Sequence, residues 1–286
     1  MSPRIAPTIR ELRELLAEVR RGGKTIGLVP TMGALHAGHA ALIERARAEC
    51  DFLTVSLFVN PSQFNQQEDY QRYPRDFARD LKFCDVLGVD CIFAPQAEEM
   101  YPGPMRTSVE VAVVSEGLCG AFRPGHFRGV ATVVAKLLNI VQPDIAYFGE
   151  KDAQQFAVIR RMVADLNLPV VIRLVPTVRE PDGLALSSRN QLLSPEERQV
   201  AIVLYQGLQA AAQAIARGER NAATLAKQVR AVFEKQPLIR LEYFEIVDPE
   251  EMQPVEKITG PVRIAGAIWV GTTRLIDNVL ATPPTM

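Results

Sequence analysis

The chain runs to 286 residues, 48% of them hydrophobic and 23% charged, with 32 Lys and Arg against 33 Asp and Glu. That length accommodates two domains with a sizeable core, and a formal net charge of -1 argues against a surface built throughout to grip nucleic acid or anionic lipid. No apolar run reaches the roughly 18 residues of a membrane span, and the charged, helix-patterned start MSPRIAPTIRELRELL does not read as a secretory leader.

In chain order, Thr8 and Glu11 form a capping box, and Leu12, Leu15, Leu16 and Val19 then share one face, which predicts an amphipathic helix over 8–22. Lys24 to Pro30 predicts a short buried strand, and a helix follows from about His39 to Glu49. The next strand, Phe52 to Val59, is apolar and β-branched nearly throughout, as strands covered on both faces are. Helices over 75–87, 129–141 and 153–166 alternate with strands over 89–95, 144–148 and 170–175. Such alternation predicts an α/β fold, a mostly parallel sheet with helices on both faces. After Pro176 the texture changes. Ser194-Pro195-Glu196-Glu197 opens a long Ala-rich helix to about Arg217, a second helix runs from Asn221 to Lys235, and strands over 241–247, 262–270 and 274–280 close the chain. Helices followed by strands predict a smaller α+β domain, with a boundary near 177 that divides the chain into 1–177 and 178–286.

Four cysteines, Cys50, Cys84, Cys91 and Cys119, lie far apart without a C-x-x-C pair. They read as small apolar residues of a reducing cytosol, not as a disulfide frame or zinc knuckle. Charge is uneven along the chain: residues 120–190 carry nine basic and six acidic groups, a local +3, which suits an anionic ligand.

Only three histidines are present, and two of them, His36 and His39, stand in the run Pro30 to His39, PTMGALHAGH, directly after the first strand. A glycine-containing turn from a parallel strand into a helix is where backbone N–H groups and the helix dipole receive phosphate. Neither G-x-G-x-x-G nor a P-loop is present. As zinc ligands the pair lacks the i,i+4 spacing and a third partner; as structural residues they would need only backbone partners. The reading that also explains Gly33, Gly38 and the position after a strand makes them donors to phosphoryl oxygens.

Phe148-Gly149-Glu150-Lys151-Asp152 also follows a strand and opens a helix; Lys151 can pair with a phosphate and Asp152 can hold a ribose hydroxyl or a metal, although an exposed first helical turn explains GEKD alone equally well. Of the adjacent Gln154 and Gln155, one is expected to face the site. Leu184 to Asn190, LALSSRN, offers two hydroxyls and a guanidinium as a clamp for triphosphate oxygens, or by itself a Ser/Asn turn. Asn60-Pro61-Ser62-Gln63-Phe64 and Arg123 to Gly129, RPGHFRG, containing His126, have turn chemistry as an equal alternative. Together these clusters lie after predicted strands or before predicted helices, at one edge of the sheet.

The runs PTMGALHAGH, VNPSQF, RPGHFRGV, YFGEKDAQQ and LSSRN, in this order and across essentially the whole chain, resemble the pantoate–β-alanine ligase (pantothenate synthetase) family of the H-x-G-H nucleotidylyltransferase superfamily. The resemblance implies a Rossmann-like domain over 1–177 that binds nucleotide and pantoate, with 178–286 closing over the ATP site. It implies ATP-binding positions at Met32, Gly33, Ala34, Leu35, His36, Ala37, Gly38, His39, Gly149, Glu150, Lys151, Asp152, Val178, Leu186, Ser187, Ser188 and Arg189. Of these, His36, His39, Lys151, Ser188 and Arg189 are the implied catalytic residues. Gln63 and Gln155 match the pantoate-binding glutamines, Gln63 also near β-alanine, and Asn60, Tyr73, Arg123 and His126 match further pocket positions. Leu186 stands where the family often has Met, an apolar exchange of similar volume.

The implied reaction joins pantoate to β-alanine at the expense of ATP, through a pantoyl adenylate, releasing AMP and pyrophosphate. Mg²⁺ would be held by ATP phosphates and not by a protein cage. A cytoplasmic homodimer is implied, with no nucleic-acid or membrane partner. A nucleotidylyltransferase of the same superfamily acting on another small acid or phosphate is the alternative. A nucleic-acid-binding protein is opposed by the near-zero charge and the lack of an anticodon-sized extension. A purely structural protein would leave three histidines on helix-approach turns unexplained.

Overall fold

A computed structural model describes residues 2–65 and 67–284, with 68 and 69 by backbone alone. In chain order the elements are β1 (Arg4–Ala6), α1 (Ile9–Arg21), β2 (Ile26–Thr31), α2 (Ala37–Glu49), β3 (Phe52–Leu57), α3 (Gln67–Arg72), α4 (Phe77–Val86), β4 (Cys91–Phe93), α5 (Ala97–Met100), α6 (Cys119–Phe122), α7 (His126–Val141), β5 (Ile145–Gly149), α8 (Ala153–Asp165) and β6 (Val171–Val175). They continue with α9 (Pro195–Ala201), α10 (Val203–Ala216), α11 (Ala222–Phe233), β7 (Ile239–Val247), β8 (Val262–Val270) and β9 (Thr273–Ala281). Two compact units result, one of residues 1–111, 123–150 and 158–176, the other of 112–122, 151–157 and 177–286.

The first unit holds a six-stranded sheet in the order β1-β4-β3-β2-β5-β6, parallel at every pairing. From β2 the chain builds outward through β3 and β4, then returns to place β5 and β6 on the other side. The strand order therefore reverses between β2 and β5, the switch point at which open α/β sheets bind ligands.

Both faces of the sheet are covered, which is why β2 and β3 read as unbroken apolar runs. Val29, Leu53, Val55 and Ile92 pack with Leu42, Ile43 and Ala46 of α2 on one face. Strand alternation turns Leu28 to the other face, where α7 packs on β2 and α1 packs on α7. The Thr8 hydroxyl accepts the Glu11 N–H at 3.2 Å and starts α1, whose Leu12, Leu16 and Val19 are buried. Each such side chain contributes roughly 1.5–3 kcal/mol relative to exposure.

The two ends of the strands differ chemically. At the N-terminal ends, carboxylates satisfy the first N–H groups: Asp51 accepts from Thr25 at 2.9 Å, Asp144 from Ile26 at 2.7 Å and Asp90 from Leu53 at 2.7 Å. The C-terminal ends instead carry the histidine turn and the GEKD segment.

The second unit is an antiparallel meander, β7-β8-β9, with α10 and α11 packed on it. Its core gathers Leu204, Leu208, Ile215, Leu225, Phe233, Phe244 and Ile264. Gly207 lets the two helices meet, since a Cβ there would come within 2.9 Å of Phe233 and Val229. The continuous helix expected to Arg217 is interrupted at Ile202, between α9 and α10; β-branched Val200, Ile202 and Val203, poor helix formers, cluster at the break.

Candidate active site

The turn leaving β2 is held from several sides. The Thr31 hydroxyl donates to Ser56 O at 2.7 Å and accepts Gly33 N–H at 3.2 Å. Gly33 has φ +80° and Ala34 φ +52°, a left-handed pair that needs support. Asp80 of α4, 3% exposed, gives it: its carboxylate accepts from Ala34 N at 2.9 Å and Leu35 N at 2.8 Å. A Cβ on Gly33 would sit 2.8 Å from the same carboxylate, so glycine is required there. Burial pushes the Asp80 carboxyl above its ordinary value, against the pull of the two backbone bonds.

His36 is the N-cap of α2, its Nδ1 accepting Gly38 N–H at 3.1 Å, while Nδ1 of His39 accepts His36 N–H at 3.3 Å. The reciprocal bonds form a capping box of two imidazoles, with ring centroids 4.2 Å apart. An accepting Nδ1 carries no proton, so each neutral ring bears its hydrogen on Nε2. The N–H groups of Gly33, Ala34, Leu35, His36 and Gly38 are all engaged inside the turn. With these groups engaged, the imidazole Nε2–H groups are the side-chain donors this turn can present to an anion.

The second cluster surrounds Gln63, at the end of a single 3₁₀ turn over Pro61–Gln63 that Asn60 caps. The Gln63 amide accepts from Asn60 Nδ2 at 3.1 Å and donates to Met32 Sδ at 3.1 Å. Its backbone oxygen faces His126 Nδ1 at 2.8 Å and accepts from Arg123 at 3.3 Å. A carbonyl oxygen only accepts and a guanidinium only donates. With Arg123 Nη1 at 3.2 Å from His126 Nε2, His126 must be the neutral Nδ1–H tautomer. Gly129 permits this packing of α7, because a Cβ would fall 2.3 Å from Ser62 O. Asn60 also donates to Gly129 O at 3.2 Å and accepts from the Tyr101 hydroxyl at 2.7 Å. Tyr73 lies edge-on to Phe64, centroids 5.9 Å apart.

The second unit carries most of the remaining positions. Gly149 ends β5 and Glu150, Lys151 and Asp152 form a 3₁₀ turn into α8, with the Lys151 ammonium 3.7 Å from Asp152. Gln154 is buried and consumed by the backbone of 114–119: it donates to Val114 O and Gly117 O at 3.0 and 2.8 Å and accepts from Cys119 N at 3.0 Å. Gln155 beside it is half-buried. Val178 and Leu186 are joined by a backbone bond of 3.0 Å, and Arg179 pairs with Ala185. This narrow ladder delivers Ser187, Ser188 and Arg189, the last two opening another 3₁₀ turn. Lys151, Ser187, Arg189, Asn190, Tyr205 and Asp277 line a small cleft.

Asp80, Tyr101, Arg179 and Asp277 were not singled out by the sequence. Each acts across a long sequence separation, and Asp80 sits in FARDLKFC, where an acidic residue reads as a solvated helix face. Among the described residues no group of three or more His, Cys, Asp and Glu is placed to hold a metal ion, and no helix is long and apolar enough to cross a membrane.

This sheet order, with a His-x-Gly-His turn capping the helix that leaves the switch point, defines a Rossmann-like α/β protein of the H-x-G-H class. Residues 4–280 match the family described as Pantoate-beta-alanine ligase. The chain is 56% identical over 278 residues to Pantothenate synthetase 1 of Bradyrhizobium diazoefficiens, covering 97% of this chain and 98% of the relative. It is 54% identical to Pantothenate synthetase of Thermotoga petrophila, over 97% and 99% of the two chains. Among solved structures it is similar to pantothenate synthetase from Thermus thermophilus, with TM-score 0.91 at 48% identity over 96% and 98% of the chains. It is also similar to pantoate-beta-alanine ligase from Francisella tularensis complexed with beta-gamma ATP and beta-alanine, with TM-score 0.80 at 35% identity over 98% of each. The chain belongs to the pantoate–β-alanine ligase family and is an enzyme of the ligase class.

Proposed function

We propose that this chain condenses pantoate with β-alanine in an ATP-dependent reaction that passes through pantoyl adenylate and releases AMP and pyrophosphate. The observation that carries the reading is the imidazole capping box, which fixes two Nε2–H donors at the sheet's switch point. In the first step the pantoate carboxylate attacks the α-phosphorus and the bond to the pyrophosphate oxygen breaks. Charge grows on the leaving and non-bridging oxygens, where His36 and His39 donate and Lys151, Ser188 and Arg189 add compensating charge and hydrogen bonds. In the second step the β-alanine amine attacks the acyl carbon, loses a proton and expels AMP. No side-chain nucleophile is required; positioning and charge stabilisation carry the rate.

Met32 to His39, Gly149 to Asp152, Val178 and Leu186 to Arg189 form the ATP-binding set in this reading. Gln63 and Gln155 bind pantoate, and Asn60, Tyr73, Arg123 and His126 complete the pocket. The bonds of Asn60, Arg123 and His126 to the Gln63 segment support a role in holding that glutamine. The domain after residue 177 closes over ATP and keeps water from the adenylate. Mg²⁺ fits the residue set as an ion carried by phosphate oxygens, which it prefers together with water over dedicated protein cages; it would neutralise phosphate charge. We place the enzyme in the cytoplasm, as a homodimer without nucleic-acid or membrane partners. The sheet edge at β6, with Val171 47% and Leu174 37% exposed, supports a partner there, since open apolar edges invite pairing. Membership of the ligase family disfavours a nucleotidylyltransferase that leaves the nucleotide on its product.

The test is an amidation assay with pantoate, β-alanine, ATP and Mg²⁺, each omitted in turn. Amide formation with one AMP per product, lost on each omission, is expected; ADP in place of AMP would overturn the reading.

A further inference from the structure

Two elements of the second unit bring phosphate-facing groups to the cleft, the turn bearing Lys151 and the ladder bearing Ser187 to Arg189, and both are tied to neighbouring residues of β9. Arg179, at the foot of the ladder, bonds bidentately to Asp277 at 2.6 and 2.9 Å. The same guanidinium donates to Gly183 O at 3.0 Å across the ladder's turn and to Asn278 O at 3.2 Å, and it stacks on Tyr205 with Cζ 4.1 Å from the ring centroid. Asn278 then donates from Nδ2 to Lys151 O at 3.0 Å, and its Oδ1 accepts from Arg263. All of these groups belong to one compact unit.

The Asp277 side chain is 4% exposed and that of Arg179 18%. A buried ion pair of this kind contributes little net stability compared with apolar packing, but its fork geometry fixes orientation. We infer that Arg179 and Asp277 are positioning residues for adenylyl transfer: with Asn278 they form one anchor on β9 that sets the spacing between Lys151 and the Ser187–Arg189 loop. The inference rests on the adenylate-forming reading above and goes beyond it by assigning a role to residues outside the proposed ATP-binding set.

The anchor serves groups that meet the triphosphate, and pyrophosphate is present only in the first half-reaction. Arg179→Lys keeps the cation and loses the fork; Asp277→Asn keeps one acceptor and loses the charge. Each is compared with the unsubstituted enzyme in pantoate-dependent ATP–pyrophosphate exchange, in amidation of supplied pantoyl adenylate by β-alanine, and in thermal melting. The expected result is exchange reduced about 10- to 100-fold, the scale of a misplaced reacting geometry, while amidation stays within about twofold. Exchange unchanged in Arg179→Lys overturns the inference, as does a parallel fall of both half-reactions with the melting temperature, which marks a merely structural pair. Should Asp277→Asn fail to fold, Arg179→Lys decides alone. Failure of the unsubstituted enzyme to exchange pyrophosphate would instead sink the adenylate reading itself.

Discussion

The turn over 33–39 and the loop over 186–190 serve the same proposed ligand from opposite design principles. In the turn, the backbone N–H groups of Gly33, Ala34, Leu35, His36 and Gly38 are bonded to Thr31, Asp80 or an imidazole, and the histidines are locked in position and tautomer. The loop is half-buried throughout and closed by few bonds: Ser187 Oγ accepts Arg189 N–H at 3.3 Å, Asn190 N–H donates to Ser187 O at 3.0 Å, and Asn190 Nδ2 donates to Ala185 O at 3.1 Å. The Asn190 Oδ1 is buried and finds no partner among the described residues, a cost of about 1–3 kcal/mol. The contrast teaches a division of labour. In the proposed reaction a rigid element fixes where charge is stabilised, and a loosely determined one, held at its base by Arg179 and the Val178–Leu186 bond, adapts to the ligand.

The sharpest test separates capping from chemistry in the turn. Serine is a good N-cap but cannot reach a phosphate, so His36→Ser should keep the melting temperature nearly unchanged. Steady-state kinetics should show kcat reduced about 10²- to 10³-fold, the cost of one preorganised donor. Retained activity would mean that His36 is only a cap.

Asp80→Asn comes next. The amide must turn its NH₂ toward the N–H of either Ala34 or Leu35, so the turn shifts; kcat/KM should fall about 10- to 100-fold by misplacement, with a lowered melting temperature. Unaltered kinetics would show that the turn does not depend on its buried carboxylate.

Amide hydrogen exchange probes the contrast directly and should show a smaller but distinct effect. Residues 187–190 should exchange faster than 34–39 in the free enzyme and slow on adding ATP, whereas 34–39 should change little. Equal rates in both segments would erase the distinction.

The smallest effect concerns the frame behind the turn. Burial pushes the thiols of Cys84, one turn beyond Asp80 on α4, and Cys91, in β4, up to about 12. Both remain protonated below that value, so neither should react with an aromatic disulfide at pH 8 until the protein unfolds. Rapid modification of either would show that this frame opens.

How much was legible in the sequence follows from the range of the forces involved. The helix over Ile9–Arg21 and strands β2 and β3 were readable because capping, periodicity and continuous apolar character are local. β1 was not, since three residues, Arg4 to Ala6, carry no pattern. α2 begins at Ala37 and α7 at His126, earlier than the runs from His39 and Gly129, because the glycines that signal turns sit inside the first helical turns. The candidate clusters were visible as motifs beside predicted strands and helices. Their supports were not: Asp80 bonds residues 45 and 46 positions away and Asp277 one 98 away, and nothing in the local sequence of either announces it. Gln154 and Gln155 look alike in the sequence, and only packing against 114–119 shows which is committed to the interior.

The central claim, that pantoate is activated by adenylylation, is tested most directly with isotope. Pantoate labelled with ¹⁸O in its carboxylate is supplied with ATP, Mg²⁺ and β-alanine, and the products are analysed by mass spectrometry. The account predicts one ¹⁸O in the phosphate of AMP and one retained in the amide carbonyl. Label absent from AMP and found in inorganic phosphate or water would contradict it.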